Sequence, residues 1–210
     1  MTFSFPKLLV AAFLGALLLA PITSAGAAED VAGTVTRLKG SAVALQDAVP
    51  RVLKAGDRVL KGDVISTGAD ARLEMKMLDD AVMTLGEKTI FVVIDYVTQG
   101  QPNAAMRLLQ GAFSAASGKM MKTAGAQFTV ETELGTIGIR GTTFWGGTLD
   151  KVFEVALLDG KGVYVENRAG RVELTGVGEG TKLMDANVKP TDPVVWAPAK
   201  TSRAVATVSF

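Results

Sequence analysis

The stretch Ala71-Arg72-Leu73-Glu74-Met75-Lys76-Met77 alternates without a break. Ala71, Leu73, Met75 and Met77 fall on one side, and Arg72, Glu74 and Lys76 on the other. A period of two is the repeat of a β-strand, so this stretch predicts a strand with one buried and one wet face. Gln127 to Leu134 repeats the pattern with Phe128, Val130 and Leu134 inward, and Arg171-Val172-Glu173-Leu174 is a shorter copy. Ile90-Phe91-Val92-Val93-Ile94 is apolar on both sides, which predicts a central strand covered on both faces. Lys151 to Leu158 reads as another strand, ended by the turn signal Asp159-Gly160. Helix signals are weak. Asn103 to Leu109 fits a short helix capped by Asn103 and equally fits a strand with Met106 and Leu108 on one face.

Outward from these segments, glycine punctuates the chain, 23 in 210 residues, against an average near 7%. Many short strands with frequent turn signals predict an all-β fold, a single domain built as a sandwich or as a β-solenoid. The glycine spacing is not fixed, so no regular repeat is established. After Leu183 the character changes. Pro190, Pro193 and Pro198 bracket Val194-Val195-Trp196, and residues 189–210 read as an extended strap and tail, with Trp196 over an open end of the core. Ala199 to Phe210 has little to anchor it, so mobility is expected there.

At the other end Lys7, the apolar run Leu8 to Ala20 and the small-residue pattern Ala25-Gly26-Ala27 read as an export signal over 1–27, cleaved after Ala27 or Ala28. The run is shorter than the ~20 residues of a membrane span, so the expectation is a periplasmic domain over 28–188 with no membrane insertion after cleavage. Secretion beyond the periplasm stays open. A domain of this size buries roughly 70% of its unfolded surface and needs no disulfide, and there is no cysteine to make one. There are 22 basic and 21 acidic residues, interspersed, which gives no footprint for nucleic acid.

The chain has no histidine. With cysteine absent too, thiol catalysis, a Ser-His-Asp triad, the usual zinc sites and iron–sulfur clusters are excluded. No catalytic residue, cofactor or metal site is expected. Asp79-Asp80 is the best carboxylate pair, but a glycosidase needs two carboxyls flanking one bond, and a solvated hairpin tip is the simpler reading. Gly135 to Thr142 lacks the lysine and following helix of a phosphate loop. There, Ile137 and Ile139 are expected in the core. Gly138 and Gly141 are expected to allow close approach, and Arg140 to lie on the surface bonded to a carboxylate or carbonyls. Phe144-Trp145 fits a core end better than an exposed aromatic platform.

Several of these segments together resemble the FecR domain, the periplasmic sensor region of bacterial iron-uptake signalling proteins. The likeness covers 56–144. It runs through Gly56-Asp57-Arg58-Val59, Gly62-Asp63-Val64, Ile65-Ser66-Thr67-Gly68 and Ala71-Arg72-Leu73-Glu74. It continues through Thr84-Leu85-Gly86, Leu108 to Phe113 and Phe128 to Thr132, and closes on Thr136-Ile137-Gly138-Ile139-Arg140-Gly141-Thr142-Thr143-Phe144. The family motif residues Ile65, Ser66, Thr67, Gly68, Gly138, Ile139, Arg140, Gly141, Thr142 and Phe144 are read as structural. Where the family often has Asp-Gly, this chain has Asp80-Ala81. Alanine resists positive φ, which argues against a tight primed hairpin there. The resemblance implies an all-β interaction module. It does not imply anti-sigma activity, because the family's sigma-binding segment and internal membrane helix are not recognisable in this sequence.

These readings lead to a non-catalytic exported module that binds an envelope protein partner, with an open strand edge near the C-terminal strands as the docking device. The alternatives are a self-associating scaffold and, further off, a carbohydrate-binding or carbohydrate-cleaving protein.

Overall fold

The structure is a computed structural model that describes residues 1–2 and 30–210, so the stretch expected to be an export signal lies outside the described residues apart from its first two. The strands are β1 (Val31–Lys39), β2 (Ala42–Gln46), β3 (Val49–Val52), β4 (Arg58–Leu60), β5 (Val64–Thr67) and β6 (Arg72–Met77). Then come β7 (Val82–Leu85), β8 (Ile90–Val97), β9 (Asn103–Gln110), β10 (Ala112–Ala116), β11 (Gln127–Glu131) and β12 (Thr136–Ile139). The last are β13 (Thr142–Leu149), β14 (Val152–Gly160), β15 (Val163–Asn167), β16 (Gly170–Leu174), β17 (Glu179–Leu183) and β18 (Val194–Val195), followed by α1 (Pro198–Ala206). Asn103 to Gln110 is thus a strand, with Ala104, Met106 and Leu108 buried.

The strands form two nine-stranded sheets. The first runs β18-β17-β14-β13-β10-β7-β6-β1-β4 and the second β16-β15-β12-β11-β9-β8-β5-β2-β3. Neighbours are antiparallel except β9 and β11, which are parallel. A solenoid of parallel rungs would pair like with like throughout, so of the two layouts open to the sequence the sandwich is the one realised. The reading of β6 holds in detail: Leu73, Met75 and Met77 are buried and pack in one core with residues of both sheets. Phe113 bridges the middle of that core, 5.5 Å from Phe91 and 5.3 Å edge-on to Phe144.

β8 departs from its reading. Phe91 and Val93 are buried, but Ile94 is 38% exposed, and Ile90 and Val92 are only half-buried. The outer face of the second sheet carries no covering layer among the described residues, so apolar residues there mark an open sheet face.

The C-terminal segment also differs from expectation. After the extended Val194–Val195, Pro198 opens a nine-residue helix, a position where its missing N–H costs nothing. This helix is anchored on the outer face of the first sheet. Trp145, Leu149 and Ala156 on the sheet meet Trp196, Ala204 and Val208 in a second apolar cluster. The two indoles stand edge-on at 6.1 Å, and the Trp145 Nε1–H donates to Thr207 Oγ1 at 3.0 Å. Lys200 pairs with the buried Glu154 and caps the Trp196 ring at 4.1 Å, and Arg203 pairs with Asp150. Trp196 lies flat against Gly180, where any side chain would collide with its indole. It therefore covers a sheet face and not an end of the main core.

Candidate interaction surface

The motif residues occupy two separate corners of the sandwich and do the same work at each. Ile65 and Ile139 are core residues, and Phe144 packs on Phe113. Thr67 is buried at the end of β5. Its hydroxyl donates to Gly86 O at 2.6 Å and accepts the Thr89 N–H at 2.9 Å. Thr142, buried at the start of β13, donates to Gly162 O at 2.8 Å and accepts the Gly162 N–H at 3.1 Å. Each hydroxyl satisfies main-chain groups that the change of sheet takes out of the ladder, where an unpaired buried group costs about 1–3 kcal/mol. Thr89 does the same for Ala112 O and N–H, at 3.1 and 3.2 Å. Sequence reading missed this residue, because a threonine between Lys88 and Ile90 looks like any strand threonine. Ser66 faces outward, and the Gly68 N–H binds Ser41 O at 2.9 Å.

The second corner corrects two expectations. Gly138 does permit a close approach, since the Tyr164 ring rests against it. Gly141 instead serves a backbone need: its φ is +67°, and a side chain there would meet nothing within 4 Å. Arg140 is exposed, and among the described residues its guanidinium has neither a carboxylate nor a carbonyl partner.

Asp79 and Asp80 do not converge. Asp79 is buried, and its carboxylate accepts the Tyr96 hydroxyl, the Ala81 N–H at 3.1 Å and the Met120 N–H at 3.1 Å. Burial and this carboxylate push the Tyr96 hydroxyl far above its ordinary pKa. The tip is thus tied inward at Asp79, against the solvated reading. Asp80 points out and pairs with Lys119 and, at 2.6 Å, with Lys76. These two lysines lower its pKa to about 2. The turn's positive φ, +67°, falls on Asp80, which tolerates it, and not on Ala81. Asp63, also buried, is held by Arg51 at 2.5 and 2.7 Å and by the Leu60 N–H at 2.8 Å. No group of three potential metal ligands occurs among the described residues.

Four strands end the two sheets: β4, β18, β3 and β16. β4 has three residues and β18 two. On β3 the Leu53 N–H bonds Ala42 O, so by the alternation of an antiparallel ladder Pro50 and Val52 face outward, and Pro50 has no N–H to offer. β16 is different. The Arg140 N–H bonds Gly162 O at 3.1 Å, which turns Tyr164 and Glu166 of β15 toward β12, and Val163, Val165 and Asn167 toward β16. Val172 and Leu174 return those bonds. The N–H and C=O of Arg171 and Glu173 therefore point outward, without proline, on exposed residues. Val177, just beyond the strand, is exposed, as is Val188, whose carbonyl is held by Asn167 at 2.7 Å beside the strand's start. Next to this hairpin a cavity of about 510 Å³ is lined by Glu131, Glu133, Leu134, Glu166, Asn167 and Arg168, among others.

Comparison with known proteins agrees with this architecture. Residues 63–161 match the family described as FecR protein. The matched stretch contains both threonine corners and runs past Phe144 through β14. No curated protein matches the chain. Two crystal structures of a "putative anti-sigma factor" from Parabacteroides distasonis ATCC 8503 are similar over 65% of this chain, with TM-scores of 0.53 and 0.52 at 15% and 16% identity. The similarity covers 61% of that protein's chain, and at such identity it is a likeness of fold. With the sheets, the threonine corners and the sequence match in agreement, residues 63–161 form a FecR domain within this chain.

Proposed function

We propose that this chain is an exported, non-catalytic signalling or sensing module that binds a protein partner by accepting one of its strands at the β16 edge. The open main-chain groups of Arg171 and Glu173 carry this reading. The FecR match over residues 63–161 supports a signalling role, and the fold likeness to a protein described as a "putative anti-sigma factor" agrees with it. Beside the hairpin Glu131 and Glu166 pair with Arg107 and Arg171, and the exposed Glu133, without an ion pair among the described residues, favours a partner segment with a basic residue next to its pairing strand.

The test is in-cell cross-linking from position 177, the exposed residue just beyond the strand, followed by mass spectrometry of the attached protein, for the otherwise wild-type chain and for Glu173→Pro. Proline at 173 removes an outward N–H and leaves the bonds of Val172 and Leu174 to β15 in place. The expected result is a defined envelope protein at stoichiometric yield, lost in the variant while the melting temperature stays close to wild type. Failure to recover any envelope protein, or recovery unaffected by proline, overturns the reading.

A self-associating scaffold is the second reading. Leu45, Val49 and Val52 beside the β3 edge, the last 70% exposed, are the observation in its favour. Size-exclusion chromatography decides it: a monodisperse monomer at high concentration rules it out.

A further inference from the structure

At the end of the sandwich where β12 turns into β13, a cavity of about 420 Å³ is lined by Ser117, Gly118, Met121, Lys122, Gly141 and Lys161. We propose that this cavity binds a phosphoryl group, carried either by a lipid headgroup or by a small soluble phosphate ester. The lining of this cavity shares no residue with the β16 edge, and its test reads Gly141 and Ser117, so the two proposals stand or fall separately.

The lining is rich in donors, and none of its six side chains is acidic. Lys122 and Lys161 are exposed, and neither forms an ion pair among the described residues. Arg140, equally unpaired, borders a smaller depression that shares Lys161 with the first. The Ser117 oxygen accepts the Thr142 N–H at 2.8 Å, and its hydroxyl proton is not committed to any acceptor among the described residues. The Gly141 N–H likewise has no acceptor there, and Gly141, at a left-handed φ, has open space where a side chain would stand. An unbonded main-chain N–H at a left-handed glycine, a free hydroxyl and flanking ammonium groups are the elements of a concave anion receptor. Several cations and donors suit a phosphoryl group, which spreads its charge over two or three oxygens, better than a single carboxylate. The volume exceeds that of a bare oxyanion and leaves room for the group that carries it.

The acidic groups nearby are mostly engaged. Asp79 lies behind Gly118, with its oxygens taken by Tyr96, Ala81 and Met120. Glu173, in the smaller depression, is held by Arg171 at 2.6 Å. Asp159, two residues from Lys161, is exposed and has no partner among the described residues, but it does not line the cavity.

The experiment is an amide NMR titration of the purified protein with inorganic phosphate and with glycerol 3-phosphate. Alongside it runs sedimentation with phosphatidylglycerol vesicles and with phosphatidylcholine vesicles. The expected result is saturable shifts at Gly141 and Ser117, weakened at least about ten-fold in Lys122→Ala/Lys161→Ala, as for lost charge-assisted contacts. Both substituted residues are exposed, and an unchanged melting temperature confirms that the variant is folded. Retention on phosphatidylglycerol vesicles alone, lost in the double variant, assigns the group to a lipid. Phosphate-ester binding without vesicle retention assigns it to a soluble ligand. The proposal is overturned if neither phosphate nor vesicles bind, or if the double variant binds as tightly as the wild type.

Discussion

The Tyr96 hydroxyl donates to Asp79 Oδ1 inside the protein, joining β8 to the turn between β6 and β7. The same carboxylate holds the Met120 N–H of the short 3₁₀ turn Lys119–Lys122. One acidic side chain therefore fastens three segments that no ladder connects.

Replacing Asp79 by Ala strands three donors, two of them main-chain. At about 1–3 kcal/mol for each unsatisfied buried group, a loss of more than about 3 kcal/mol is expected. Tyr96→Phe removes one donor and leaves the carboxylate with the other two, so a loss of about 1–2 kcal/mol is expected. Urea unfolding of both variants measures the difference. Equal losses would show that Asp79 acts only through Tyr96.

Asp80 titrates in a separate window. Its folded pKa, about 2, lies below the ordinary 3.8, so its contribution to stability is complete above about pH 4 and fades as pH falls toward 2. Thermal melts of the wild type and Asp80→Asn from pH 6 to pH 2 should differ modestly at the upper end and converge at the lower. Asparagine tolerates the positive φ, which isolates the charge. A gap that stays constant with pH contradicts the ion pairs with Lys76 and Lys119.

Trp145 and Trp196 are the protein's two tryptophans. Trp196→Ala empties the apolar cluster under α1 and leaves Trp145 as sole reporter. The expected outcome is a loss of about 3–5 kcal/mol and a red shift of the remaining emission as water reaches a ring that is 0% exposed in the intact protein. An unshifted spectrum would mean that α1 stays docked without its indole anchor.

What the sequence reveals here follows the range of the physics involved. The alternation in Arg72 to Met77 is local, and it correctly gives the buried face of β6. The paired motifs around Thr67 and Thr142 pointed to the FecR match found over residues 63–161, whereas the hydroxyl bonds these threonines make involve partners some 20 residues away and were not legible. The environment of Asp79 could not be read, because its burial depends on Tyr96 and Met120, far along the chain. Ile90 to Ile94 looked doubly covered because composition reports apolarity and not whether a second layer exists. The anchoring of α1 was hidden for a related reason. Its partners, Trp145, Glu154 and Asp150, lie about 50 residues earlier, and only Pro198 hints at a helix start.

Trp145 and Thr207 are 62 residues apart. The chain emerges N-terminus first, from a ribosome or from a translocation pore, so both sheets can assemble while the docking face on β13 and β14 is still bare. During that interval the nascent protein displays an indole and its apolar surroundings to every chaperone and every other unfinished copy nearby. Burial of this face is consequently a late, non-local event, and a mutation that merely delays α1 would lower yield through aggregation without altering the finished molecule.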